Sequence, residues 1–169
     1  MDIYNISDWA TSVNYLKNDI VMNNGYYYYA ISDHTSGSFD ADLSAGKWNG
    51  VLNYNGQTLP YFFWIPSYGY NMDIKPFVKS VKFGDGYEQI TPDGINNILL
   101  PFNLSFENRD LKEYTAILHF FHTRGGHEKF YFIPPQPFNL MKKFICSNWR
   151  PTQIFYDNYN IDALFEEKI

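Results

Sequence analysis

Three groups of side chains in this sequence could do chemistry: the histidines His119, His122 and His127, the single Cys146, and the glycine-flanked acid of Gly84-Asp85-Gly86. His119 and His122 stand three apart on a helical pattern, with His127 just beyond Gly125-Gly126, a spacing open to a metal ion. Such a pair needs a carboxylate or a further ligand aimed at the same point, and none is identifiable. On a helical wheel His122 falls at the margin of the apolar face and His119 on the polar face. Both are expected as ordinary surface histidines, with no metal. Cys146, beside Ile145 in mid-strand, is expected as a small buried apolar residue, and no motif supports a Cys-His nucleophile. Gly84-Asp85-Gly86 lacks the Gly-Lys-Ser/Thr ending of a phosphate loop and opens no helix. No adjacent carboxylate pair stands out as a glycosidase acid and base. The expectation is a protein that is not an enzyme and needs no cofactor.

What Gly84-Asp85-Gly86 does suggest is a reversal of the chain. Val81 and Phe83 share one face of an extended run, with Ser80 and Lys82 on the other. A second run begins at Tyr87, and Asp-Gly tolerates the positive φ angles of the tight turn between them.

Composition narrows the class further. The 169 residues are 45% apolar and 20% aromatic, with 15 Tyr, 15 Phe and 4 Trp. So much aromatic surface is hard to bury in a small core and is favoured at interfaces and on sugar-binding faces, so an oligomer or assembly component is the first expectation. The net charge is −5, most of it in residues 1–52, and no basic stripe supports nucleic-acid binding. One cysteine excludes an intrachain disulfide framework and a Cys-rich zinc site. Met1-Asp2 opens no signal-peptide pattern, and no apolar run reaches the ~20 residues of a membrane span. A soluble chain made in a cytosol is expected.

Residues 1–52 are expected as a small three-stranded β module. Asn23-Asn24-Gly25 predicts a hairpin turn between Ile20-Val21-Met22 and the tyrosine run, along which Tyr26, Tyr28 and Ala30 face one way and Tyr27, Tyr29 and Ile31 the other. Asp33 to Gly46 reads as loop, and Trp9 and Trp48 as clamps. The spacing of Trp9, Tyr15, Asp19, Val21, Gly25, Tyr28, Ala30 and Trp48 resembles the small carbohydrate-binding modules of bacterial chitinases and cellulases. That resemblance implies aromatic stacking on sugar rings, with Tyr26, Tyr28 and Trp48 as the sugar-binding set. It departs from the pattern after Trp48, where Asn49-Gly50 follows in place of adjacent aromatics. The plainer role for Trp9, Tyr28 and Trp48 is the core of a small domain.

Residues 53–60 read as a polar joint, and residues 61–169 as a second domain. Tyr61 to Ile65 predicts a short aromatic strand stopped by Pro66, and Ser67 to Met72 a loop. Ile98, Leu100, Phe102, Leu104 and Phe106 alternate as one face of a half-buried strand, which Pro101 marks as an edge or bulged one. Asp110 and Glu113 form a capping box for a helix over about 110–123, with Leu111, Tyr114, Ile117, Leu118 and Phe121 on one face and Arg124-Gly125-Gly126 at its end. Lys129–Ile133, Lys142–Trp149, Gln153–Tyr156 and Ile161–Glu167 read as strands. The fold class is mostly β with one packed helix (α+β).

In that order, Phe63, Pro76-x-Val78, Lys82-Phe83-Gly84-Asp85-Gly86-Tyr87-Glu88-Gln89, Gly94-Ile95-Asn96, Leu104-Ser105-Phe106, a helix ending in Gly-Gly, Phe130-x-Phe132-x-Pro134-Pro135, Trp149 and Phe165-Glu166-Glu167 resemble the minor tail protein M family of lambda-type siphophages. The resemblance spans nearly all of residues 61–169. It implies a tail-tube-like β-sandwich or barrel and a non-enzymatic tail-tip protein in the virion, assembled in the host cytoplasm. It further implies a ring of six copies joining the tail tube protein to the tip hub proteins, with Phe83, Gly84, Asp85, Gly86, Tyr87, Glu88 and Gln89 as contact residues. Residues 1–52 would decorate the ring and hold host surface polysaccharide. The alternative is a carbohydrate-binding accessory module of a cell-wall-active system.

Overall fold

The turn chemistry sets out the chain. In the computed structural model, which describes residues 5–67 and 69–169, Asn24 and Gly25 take φ of 49° and 79°. This left-handed pair fits a two-residue hairpin whose strand twist is right. The Met1-Asp2 start and Tyr68 of the expected Ser67–Met72 loop lie outside the described residues. The first part of the chain contains β1 (Asn14–Tyr15), β2 (Ile20–Asn23), β3 (Tyr26–Ala30), β4 (His34–Thr35), α1 (Phe39–Ser44) and β5 (Trp48–Asn49). β1 pairs with β4, and β2, β3 and β5 form a three-stranded sheet in that order.

The expected loop Asp33 to Gly46 therefore holds a strand and a short helix. Its order comes from Asp42, whose carboxylate accepts from Gly37 N at 2.9 Å and from Lys47 Nζ at 2.8 Å. Residues 53–60, read as a polar joint, lie in a second hairpin, β6 (Val51–Tyr54) and β7 (Gln57–Pro60), turned by Asn55 and Gly56 at φ of 49° and 73°.

The larger sheet follows from the alternating runs. β10 (Pro101–Arg109), β11 (Phe130–Phe132), β12 (Lys142–Phe155) and β13 (Asn158–Lys168) are antiparallel in the order β10-β13-β12-β11. Leu100, Phe102, Leu104 and Phe106 are buried as the period-2 pattern requires, while Ile98 lies outside the strand and is exposed. β10 is an edge strand, with a register shift between Phe106 and Arg109, both features that Pro101 announced. The two strands expected either side of Pro151 are one: β12 runs through it, with Pro151 opposite Ile161. Beyond Phe144 that strand has β13 on one side and no further strand of the sheet on the other, the setting in which a proline is tolerated.

Helix α2 (Leu111–Arg124) packs on this sheet. Asp110 Oδ1 accepts from Glu113 N at 2.7 Å. The reciprocal half of the capping box is replaced, because Glu113 binds the Arg109 guanidinium at 2.7 Å. Gly125, at φ 56°, closes the helix with its N–H shared between the carbonyls of Phe121 and His122. Phe62, Phe102, Phe106, Phe120, Phe121, Phe130, Phe144 and Phe165 fill the space between helix and sheet, all essentially inaccessible. Each such burial contributes roughly 1.5–3 kcal/mol. Phe62 and Trp64 enter this core from a segment that is not the expected strand: Tyr61 makes a single bridge to Tyr131, and Phe62 N donates to the Tyr131 carbonyl at 2.8 Å.

The opposite side of α2 is covered too. Tyr29 joins the large core and packs against Trp64, His119 and Phe120. Lys112 meets Asp19 at 2.8 Å, and Trp64 Nε1 donates to the buried Asn18 at 3.1 Å. This is why His119 is buried, with Thr115 and Ala116 beside it, although they lie off the predicted apolar face; Leu111, on that face at the first turn, is exposed. His119 is not a surface residue. The strand that covers it lies ninety positions earlier, beyond what a helical wheel can represent.

Between these units, β8 (Val78–Lys82) and β9 (Glu88–Pro92) make a two-stranded sheet of their own. The fold is mostly β with one main helix.

Candidate functional site

The β8–β9 hairpin follows from local chemistry. Lys82 pairs with Glu88 across the strands, Phe83 N donates to the Tyr87 carbonyl at 2.7 Å, and the Gly84-Asp85-Gly86 turn carries φ of 65° at Asp85 and 78° at Gly86. Lys79 meets Asp93 at 2.8 Å, and the Ser80 hydroxyl donates to Glu88. Every residue from 73 to 96 is exposed. The register divides the apolar side chains between the two faces. Val78, Ile90 and Pro92 share one face near the base, and Val81 lies on the other, toward the tip with Phe83 and Tyr87. Phe83 and Tyr87, 52% and 73% exposed, stand with ring centroids 6.4 Å apart. A two-stranded ribbon wet on both faces is marginal in water. All seven predicted contact residues, Phe83 to Gln89, sit on its distal half.

A second projection was not anticipated from sequence. The β12–β13 hairpin turns at Tyr156-Asp157, leaving Ile154, Phe155 and Tyr156 at 53%, 63% and 91% exposure. Asp157 Oδ1 accepts from Leu111 N at 3.1 Å, which fastens the base of that tip to the start of α2. The strand expected over Gln153–Tyr156 contains these three residues, but the sequence does not show that it is the far end of β12 turning into β13.

The predicted sugar set separates. Tyr28 and Trp48 are 7% and 3% exposed and form a core cluster with Tyr15, Val21 and Ala30, against which Trp9 and Phe39 pack. Burial raises the Tyr28 hydroxyl pKa, with Tyr26 and Asp40 adding to it. Tyr26 alone of the three is exposed, at 54%. It lines a cleft of about 310 Å3 that also receives Gly50 and Thr58, and Arg124 and Glu128 from the end of α2.

The histidines do not converge on one point. His119 Nδ1 hydrogen-bonds the Tyr29 hydroxyl at 3.1 Å, His122 packs on Trp149, and His127 Nδ1 lies 3.1 Å from the Gly125 carbonyl. Among the described residues no three His, Cys, Asp or Glu are grouped to hold a metal. Burial, with Arg124 and His122 adding to it, lowers His119 to about 4. Cys146 is buried, as its mid-strand position predicts, and burial raises its thiol to about 12, which keeps it protonated and unreactive. No helix among the described residues is long and apolar enough to cross a membrane.

Two comparisons bear on this arrangement. A family model described as phage minor tail protein matches residues 60–169. Tail tip protein M of Escherichia phage lambda is 31% identical over 88 residues, which is 52% of this chain and 79% of that protein.

Proposed function

Because this chain belongs to the phage minor tail protein family and so has a structural role in a phage tail, we propose that it is a tail-tip component whose copies close into a ring between the tail tube protein and the tip hub proteins. The observation that carries this reading is the β8–β9 arm, which is exposed on both faces and tipped with Phe83 and Tyr87. In a heterologous contact the arm of one copy meets a different surface of the next, and such contacts generate rings when the rotation closes. Residues Phe83 to Gln89 are the contact set, and six copies is the ring size that the family resemblance implies. The chain acts without catalysis, in the virion after assembly in the host cytoplasm. Residues 1–52 are the decorating module, packed through Tyr29 and the Asp19–Lys112 pair on residues 61–169, the ring-forming domain. Electron microscopy of tails, with native mass spectrometry of the purified protein, tests the reading. Closed rings at the tip are expected, and a strictly monomeric protein absent from particles would sink it.

A second reading concerns the decoration. The half-exposed Tyr26, the one member of the predicted sugar set that meets solvent, favours a weak grip on host surface polysaccharide, multiplied by the copies in a ring.

A further inference from the structure

We propose that the β8–β9 arms of neighbouring copies stack on one another, the distal end of one face resting on the basal end of the opposite face of the next arm. This deepens the ring reading and rests on it, and it names the surface that receives the arm. The cross-strand pairs Val78–Pro92, Ser80–Ile90 and Lys82–Glu88 share one face of the ribbon. Lys79–Thr91 and Val81–Gln89 share the other, and the Phe83–Tyr87 pair, closed by Phe83 N on the Tyr87 carbonyl at 2.7 Å, follows them on that side.

Each face is apolar at one end and charged at the other, in opposite senses. The first has Val78, Ile90 and Pro92 toward the base and Lys82 with Glu88 toward the tip. The second has Val81, Phe83 and Tyr87 toward the tip and Lys79 toward the base, where its ammonium meets Asp93 at 2.8 Å. The side chains of Val78, Val81, Phe83, Tyr87 and Ile90 are all more than half exposed.

That pattern selects a second copy of this chain as the partner. The two apolar ends lie on opposite faces, so joining them uses a different face of each arm and leaves every arm with one face free. Such a contact is head-to-tail: it does not close as a two-fold dimer, and it closes on itself only as a ring.

Charge sets the offset. Successive arms of a six-membered ring turn by no more than about 60°, so they run in nearly the same direction, β8 over β8 and β9 over β9. Stacked flush, the Phe83–Tyr87 pair would rest on Lys82 and Glu88 and strip them of water. A slip of about three residues, roughly 10 Å, instead sets Val81 on Val78 and Tyr87 on Ile90 of the next copy. The Lys82–Glu88 pair of the receiving arm and the Lys79–Asp93 pair of the entering arm then fall at the two ends of the overlap, where water reaches them.

Disulfide cross-linking of the full chain tests the stack, with native mass spectrometry of the wild type establishing whether rings form. Cys146 is buried, so only introduced cysteines report. Tyr87 and Ile90 are exposed and face opposite ways on one arm, so a chain carrying both Tyr87→Cys and Ile90→Cys cannot bridge them within itself. The stack brings position 87 of one copy against position 90 of the next. The expected result on oxidation is a ladder of linked multimers from the double variant, lost in reductant, with each single variant remaining an unlinked chain. Linked dimers from Tyr87→Cys alone mean that like faces meet, and they overturn the stack. No ladder from the double variant, where the wild type forms rings, means that the distal face lands elsewhere: the stack falls and the ring reading stands. A wild type that forms no rings overturns both.

Discussion

The Tyr29 hydroxyl and His119 Nδ1, ninety residues apart in sequence, lie 3.1 Å apart and join the central strand of the first sheet to the middle of α2. Tyr27 stands edge-on to the same imidazole at 4.6 Å. Burial, with Arg124 and His122 adding to it, lowers His119 from 6.5 to about 4.

A folded-state pKa below the unfolded one means that the unfolded chain binds the proton first. Stability conferred by neutral His119 is therefore fully present above about pH 6.5, is lost as pH falls toward 4, and is flat below that. The shift corresponds to about 2 kcal/mol once solvent screening is allowed for. Urea unfolding of wild type and His119→Gln at several pH values between 4 and 7 checks this. The difference in slope between them should fall within that window, and parallel curves would assign the acid sensitivity elsewhere.

What could be read in the sequence divides along physical lines. The Asn-Gly and Asp-Gly reversals, the Asp110 cap and the Gly125 stop depend on residues within a few positions of each other, and each lies where its chemistry places it. The alternation from Leu100 to Phe106 also survives, because one sheet face decides it. His119 did not yield to the same treatment: the polar face of a helix stays polar only if nothing packs on it, and β3 does. Tyr26, Tyr28 and Trp48 fail similarly as a set, since residue type cannot say which aromatics close the core and which meet solvent. The Val51–Pro60 hairpin and helix α1 are hidden by turn-rich composition: Asp42 orders the helix, and the Tyr131 hydroxyl, donating to the Tyr54 carbonyl at 2.7 Å, fastens the hairpin.

Replacing Gly86 with Val distinguishes assembly from folding. Its φ of 78° disfavours a β-branched residue by roughly 1–3 kcal/mol, yet a Cβ there would meet nothing within 4 Å. The strain is confined to the exposed arm. Particle incorporation should fall sharply while the melting temperature of the isolated protein holds. Equal loss of both would make the arm a fold element alone.

Gly50 tests packing at the edge of the Tyr28 cluster. A Cβ there would stand 2.4 Å from Tyr28 Cδ1 and 2.6 Å from Cε1, and that ring is buried. Gly50→Ala should cost about 1–3 kcal/mol by overpacking. Gly37→Ala, with open space around it and no positive φ, should be neutral or stabilise by up to about 1 kcal/mol. Denaturant midpoints of the two variants measure the contrast, and equal values would mean that the Tyr28 ring moves aside freely.

Phe62 is the residue through which the aromatic core is most tightly joined. Its ring stacks on Phe121 at 5.5 Å and 7°, and meets Phe165 edge-on at 5.1 Å and Phe120 at 5.3 Å. It is 1% exposed, yet it sits on an irregular segment whose backbone bonds run from Tyr61 N to the Gly50 carbonyl and from Phe62 N to the Tyr131 carbonyl. Truncation would leave a void bounded by rigid rings from the helix and from the sheet, which can collapse only by moving both. Phe62→Ala should therefore cost about 3–5 kcal/mol, a large share of the 5–15 kcal/mol typical of a folded domain. Tyr156→Ala, at the 91% exposed tip of the β12–β13 hairpin, should stay within about 0.5 kcal/mol. Chemical denaturation of both reads the difference. If Phe62→Ala costs no more than Tyr156→Ala, the segment carrying Phe62 is a lid over a core that closes without it, and the helix–sheet packing must be stabilised by Phe120, Phe130 and Phe165 alone.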